Sequence, residues 1–133
     1  MKKLTTVAIL FLAFCLVACS APADTEGVWK NATYLKDTEL GNGANTCVAE
    51  VVVGEHKITF TVHTDKTTVG AALLEHGIIA GTDGLYTVVN GMTADYNVDQ
   101  SYWAFYIGGE MAMQGADDTE IAEGTVYRFE YTK

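Results

Sequence analysis

Asp95, Asn97 and Asp99 set three short oxygen-bearing side chains at alternate positions, the spacing with which a calcium-binding loop opens. The closing half is missing, because Gln100 stands where such a loop needs glycine and Tyr106 where it needs a bidentate glutamate. The stretch is therefore a weak calcium candidate, with a solvated Asx-rich turn as the alternative. His56, His63 and His76 have no spacing that joins any two of them at a metal. Ser20 and Ser101 stand in no nucleophile elbow, and Cys47 has no local nucleophile signature. With no glycine-rich phosphate cradle either, the chain is read as a binding protein rather than an enzyme.

Binding chemistry concentrates instead in "SYWAFYIGGEMAMQG", residues 101–115. If Gly108 and Gly109 form a two-residue turn, Ile107 pairs with Glu110, Tyr106 with Met111, Phe105 with Ala112, Ala104 with Met113 and Trp103 with Gln114. One face then carries Trp103, Phe105, Ile107, Ala112 and the Gln114 amide, and the other Tyr102, Tyr106, Met111 and Met113. A surface hairpin needs one apolar face, and this one has two. Either a loop covers the second or it receives a flat apolar ligand or a partner, for which tyrosine offers apolar area with a polar tip and methionine an adaptable surface. Which face is core stays open at this level.

The elements that must position this hairpin follow from periodicity. "CVAEVVV" and "KITFTVHT" are β-branched runs separated by "GEH", a hairpin signal. In "DKTTVGAALLEHG", Thr67 and Thr68 are candidate N-caps, Val69, Ala72 and Leu73 recur at helical spacing, and Gly77 is the stop. "GLYTVVNGMT" is a strand closing on the turn pair Asn90-Gly91, and "TVYRFEYT" alternates Tyr127, Phe129 and Tyr131 against Val126, Arg128 and Glu130. The order of hairpin, helix and further strands predicts an α+β, β-grasp-like domain: a single, mostly antiparallel sheet with one helix packed across one face. Its expected extent is residues 46–133.

Ahead of it, Met1-Lys2-Lys3 and the apolar "LTTVAILFLAFCLVA" read as a signal peptide over residues 1–18. Leu16-Val17-Ala18-Cys19 resembles the bacterial lipobox, which implies cleavage before Cys19, diacylglycerol on its thiol, and anchorage at the extracytoplasmic side of a membrane in a bacterial envelope. Residues 19–45, with "SAPADTEG" and "LGNGANT", read as a lipidated N-terminus and flexible tether, although Trp29, Tyr34 and Leu35 could dock on the domain. Loss of Lys2 and Lys3 leaves 6 basic against 17 acidic side chains, a mature charge of −11. A surface this acidic repels nucleic acid. With Cys15 in the signal and Cys19 acylated, Cys47 has no partner in the chain for a disulfide and reads as a buried thiol.

"TVGAALLE", "GLYTVVNGMTAD" and "SYWAFYIGGEMAMQGADDTEIAEGTVYRFEY" together resemble the C-terminal β-domain of transcobalamin and intrinsic factor, and more closely the bacterial transcobalamin-like domain of unknown function found on surface lipoproteins. The most specific part is Tyr102-Trp103, the Gly-Gly turn and Gln114-Gly115. In the animal carriers this domain closes over one face of cobalamin, and the resemblance implies Tyr102, Trp103 and Gln114 as ligand-binding candidates beside Tyr106, Met111 and Met113. The expectation is a lipid-anchored binding module for a small apolar or corrinoid-like ligand or a surface partner protein. The alternative is a structural or metal-binding surface module with no transported ligand.

Overall fold

A computed structural model describes residues 27–82 and 84–133. The signal peptide and Cys19 lie outside the described residues, among which no helix is long and apolar enough to cross a membrane.

Two β-branched runs form the first hairpin, β2 (Asn45–Val53) and β3 (His56–Thr64), turning on Gly54-Glu55 with Gly54 at φ 61°. Cys47, Ala49 and Val51 of β2 face Ile58, Phe60 and Val62 of β3 on the same side, all buried, as alternation requires. The helix α1 (Val69–Glu75) follows, and of the two candidate caps Thr68 is the one used: its hydroxyl accepts from the Ala71 N–H at 3.3 Å. Val69, Ala72 and Leu73 are buried against the hairpin's inner face, and Gly77 ends the turn at φ 70°.

The last strand, β9 (Val126–Thr132), lies beside β2 and parallel to it, with Ala49 opposite Tyr127 and Val51 opposite Phe129. The strand β7 (Tyr102–Ile107) pairs antiparallel with the other edge of β9, and β8 (Glu110–Met111) returns along β7. With the short β1 (Thr38–Gly41) parallel to β3 at the far edge, the main sheet runs β1-β3-β2-β9-β7-β8. The expected α+β class holds.

Two features depart from the expectation of one mostly antiparallel sheet. The parallel pairs β1–β3 and β2–β9 make the sheet mixed. The segment after the helix builds a separate three-stranded sheet from β4 (Ile79–Thr82), β5 (Leu85–Val89) and β6 (Met92–Thr93). Alternation marks a strand without naming its neighbour. Here the Asn90 N–H donates to the Ile78 carbonyl at 2.6 Å, and Ile79 and Val89 are drawn into the core instead of extending the main sheet.

The segment expected as tether is packed from residue 27 onward, through the docking residues anticipated for it. A short 3₁₀ turn, Gly27–Trp29, buries the Trp29 indole. The Tyr34 ring meets Phe60 edge-on at 5.2 Å, and its hydroxyl donates to the His76 carbonyl at 2.7 Å. Asn90 clamps the segment from beneath: its Oδ1 accepts from the Tyr34 N–H at 2.8 Å and its Nδ2 donates to the Tyr34 carbonyl at 3.0 Å.

Candidate functional site

The hairpin of β7 and β8 turns on Gly108 and Gly109, both at positive φ (60° and 88°), which glycine adopts without steric cost. Tyr106 stands opposite Met111 and Ile107 opposite Glu110, the expected register. The ladder's last bond runs from the Ala112 N–H to the Phe105 carbonyl, so the expected pairs beyond it, Ala104 with Met113 and Trp103 with Gln114, do not form as strand pairs. Gln114 turns away, its amide donating to the Asp118 carbonyl at 2.9 Å and to Thr119 Oγ1 at 3.3 Å. There it holds the 3₁₀ turn Ala116–Asp118 against the start of α1.

The two faces separate as the register dictates. Trp103 is 8% exposed, its indole N–H donating to the Met92 carbonyl at 3.0 Å and its ring meeting Tyr131 edge-on at 5.5 Å. Phe105 stacks on Phe129 at 4.9 Å and on Tyr127 at 6.4 Å. This is the core face. The opposite face is the open one, with Tyr102 44% and Met111 57% exposed, while Met113, expected on it, lies past the last ladder bond in the loop and is 98% exposed. Tyr106, half-buried between them, carries the Arg128 guanidinium 4.4 Å from its ring centroid, a cation–π contact that covers one side of the ring. Arg128 Nε lies 3.4 Å from the Glu130 carboxylate.

Tyr96 joins this face unannounced by the sequence. It opens a single helical turn, α2 (Tyr96–Asp99), and its exposed ring lies 6.5 Å from that of Tyr102, tilted by 57°. Periodicity could not find it, since four residues between turns show no helical repeat. Nor does the alternation of β9 disclose that Arg128 sits beside Tyr106, which depends on the β7–β9 register.

The calcium candidates occupy that same turn. Asp95 is its N-cap, Oδ1 accepting from the Asn97 N–H at 3.0 Å. Asp99 accepts from both the hydroxyl and the N–H of Ser101, and Lys133 Nζ lies 3.6 Å from its second oxygen. The Ser101 hydroxyl bond is the main reason its carboxyl is held below the ordinary aspartate range. Asp95, Asn97 and Asp99 thus lie together in sequence and space, with the two carboxylates engaged in capping and turn bonds. Among the described residues no three His, Cys, Asp or Glu side chains converge as an ion's ligands. Cys47 is fully buried, and desolvation pushes its thiol up to about 11, so it stays protonated at neutral pH.

Comparison with known proteins bears on this geometry. A family described as a domain of unknown function (DUF4430) matches residues 66–133. No curated protein matches the chain. Among solved structures, a protein from Ruminococcus gnavus ATCC 29149 described as a candidate metal binding protein superposes with a TM-score of 0.63 at 24% identity, over 68% of this chain and 98% of its own. Haptocorrin, solved in complex with Cbi, superposes with a TM-score of 0.53 at 18% identity over 70% of this chain. The match takes in 26% of the haptocorrin chain, about a quarter of its length. Both likenesses are of fold, and they agree with the transcobalamin-like resemblance of the hairpin.

Proposed function

The chain belongs to the DUF4430 family of domains of unknown function, and from that premise we propose that it is a lipid-anchored extracytoplasmic binding module whose open hairpin face receives a flat, largely apolar, corrinoid-like ligand. The observation that carries this is the pairing of the two faces: Trp103 and Phe105 fill the core, while Tyr102 and Met111 stay open beside Tyr106, with Met113 exposed in the loop that follows. So many large side chains on an exposed sheet face exceed what solubility favours. The fold shared with haptocorrin supports a small-molecule ligand. The strand order β3-β2-β9-β7, with β2 and β9 parallel at its centre and α1 across one face, supports a β-grasp-like reading. A domain gripping its ligand on one face alone buries limited area, so modest affinity is expected.

Titration with cobalamin followed by tryptophan fluorescence tests the ligand. Quenching is expected at about tens of micromolar, and replacing Tyr106 by Ser together with Met111 by Gln should abolish it while leaving the unfolding temperature nearly unchanged. No quenching, or a double variant as unstable as a core variant, would show that the face is structural. The fold shared with the Ruminococcus gnavus protein favours a second reading, a metal-binding surface module. A rise in melting temperature with micromolar calcium would favour it, since a tightly bound ion stabilises the native state by mass action.

Anchorage rests on Leu16-Val17-Ala18-Cys19. Seven residues lie between Cys19 and Gly27, the first described residue, and a chain of that length reaches at most about 25–30 Å. The module would then work close to the bilayer. Cys19→Ala is expected to move the protein from the membrane fraction to the soluble one after signal cleavage. A variant that stays with the membrane would mean a different anchor.

A further inference from the structure

We infer that a second site, separate from the hairpin face, lies in the cleft where residues 28–31 meet the β5–β6 turn, and that it takes a small, uncharged, largely apolar molecule. The cleft, which is partly open to solvent, has a volume of about 430 Å³, in the range of sites for small molecules, about 300–1,000 Å³. It is lined by Val28 and Asn31 from the N-terminal segment, Val53 from the end of β2, Gly91, Met92 and Thr93 from the β5–β6 turn and β6, and Tyr131 from β9. It shares no residue with Tyr102, Tyr106, Met111 or Met113.

The walls are held from behind. The Trp103 indole grips the Met92 carbonyl at 3.0 Å and its edge meets Tyr131 at 5.5 Å. Gly91, at φ 79°, lets Thr33 approach so closely that a Cβ there would stand 2.7 Å from Thr33 Oγ1. The Asn90–Tyr34 pair fixes the neighbouring backbone. A cleft braced in this way is preformed, and an occupant need not spend free energy ordering it.

Charge decides the class of occupant. The mature chain carries −11, yet none of the lining residues is acidic or basic. An ion entering would shed water and meet no counter-charge. An uncharged molecule can lay its apolar body on Val28, Val53, Met92 and the Tyr131 ring, with the Asn31 amide and the Thr93 hydroxyl available for one or two hydrogen bonds.

The test uses the full mature chain bearing Cys19→Ala, so that no acyl chain adds apolar surface, and the neutral fluorophore N-phenyl-1-naphthylamine. Saturable binding is expected, weakened about tenfold or more by Thr93→Arg and by Asn31→Arg, each at a lining residue. Both positions are exposed, so unfolding should be unchanged. The anionic analogue 1-anilinonaphthalene-8-sulfonate should bind at least about tenfold more weakly, and the Tyr106→Ser, Met111→Gln variant should bind like the parent. Absence of saturable binding, indifference to both arginines, or equal binding of the anion would overturn the assignment. Loss in the hairpin variant alone would also overturn it, and would place the probe on the hairpin face instead.

Discussion

Trp103→Ala is expected to remove about 3–5 kcal/mol of folding stability, which in a domain of this size lowers Tm by roughly 20 °C. The indole is 8% exposed and packs between Tyr131 and the Met92 backbone, so truncation opens a cavity that the sheet cannot close. It also leaves the partly buried Met92 carbonyl without its donor, a loss of about 0.5–1.5 kcal/mol. Trp103→Phe should therefore fall between parent and alanine, since it refills most of the volume without restoring the bond. Urea unfolding followed by far-ultraviolet circular dichroism reads both. A cost below about 1 kcal/mol for alanine would put Trp103 at the surface, and the assignment of the open face to Tyr102, Tyr106 and Met111 would fall with it.

Asn90→Ala should be nearly as damaging. The side chain is fully buried and bonds both backbone groups of Tyr34, and the residue sits at φ 52°. Alanine loses both bonds, strands a partly buried N–H and carbonyl, and must hold a left-handed backbone, together about 3–4 kcal/mol. Asn90→Gly tolerates the backbone but restores neither bond, so it should recover about 1 kcal/mol of that loss. Amide exchange across residues 33–40 should rise sharply in both variants, because the clamp ties this segment to the domain. Unchanged protection there would show that Trp29 and β1 hold the segment without it.

These two residues differ in how far the sequence disclosed them. Trp103 was placed on one face of a hairpin by the Gly108-Gly109 turn and the two-residue period, although its face was not thereby assigned to the core. Asn90 was visible as half of a turn pair. Its grip on Tyr34, 56 residues earlier, was not. The same division runs through the site. The Tyr106–Met111 register was legible because a tight turn sets it locally. The Arg128 guanidinium over Tyr106 was not, because it requires knowing that β9 lies beside β7. Gln114, expected across from Trp103, instead braces the turn before Thr119, where backbone and hydroxyl acceptors lie closer than a strand partner.

By itself the sequence determined whatever depends on neighbours within about ten residues: the Thr68 cap and buried stripe of α1, the alternation of β9, the hairpin turn and its two apolar faces, and the acidic charge of the chain. Only the tertiary structure decided that β9 runs parallel to β2, that residues 79–93 form a sheet of their own, that residues 27–45 pack on the domain, and that a cleft opens beside them. The reason is physical. Turn chemistry and periodicity act through bonds between near neighbours, whereas strand order and docking are chosen by the summed burial of Trp29, Tyr34, Phe60, Trp103 and Tyr127. That burial arises only once segments distant in the chain meet in one core.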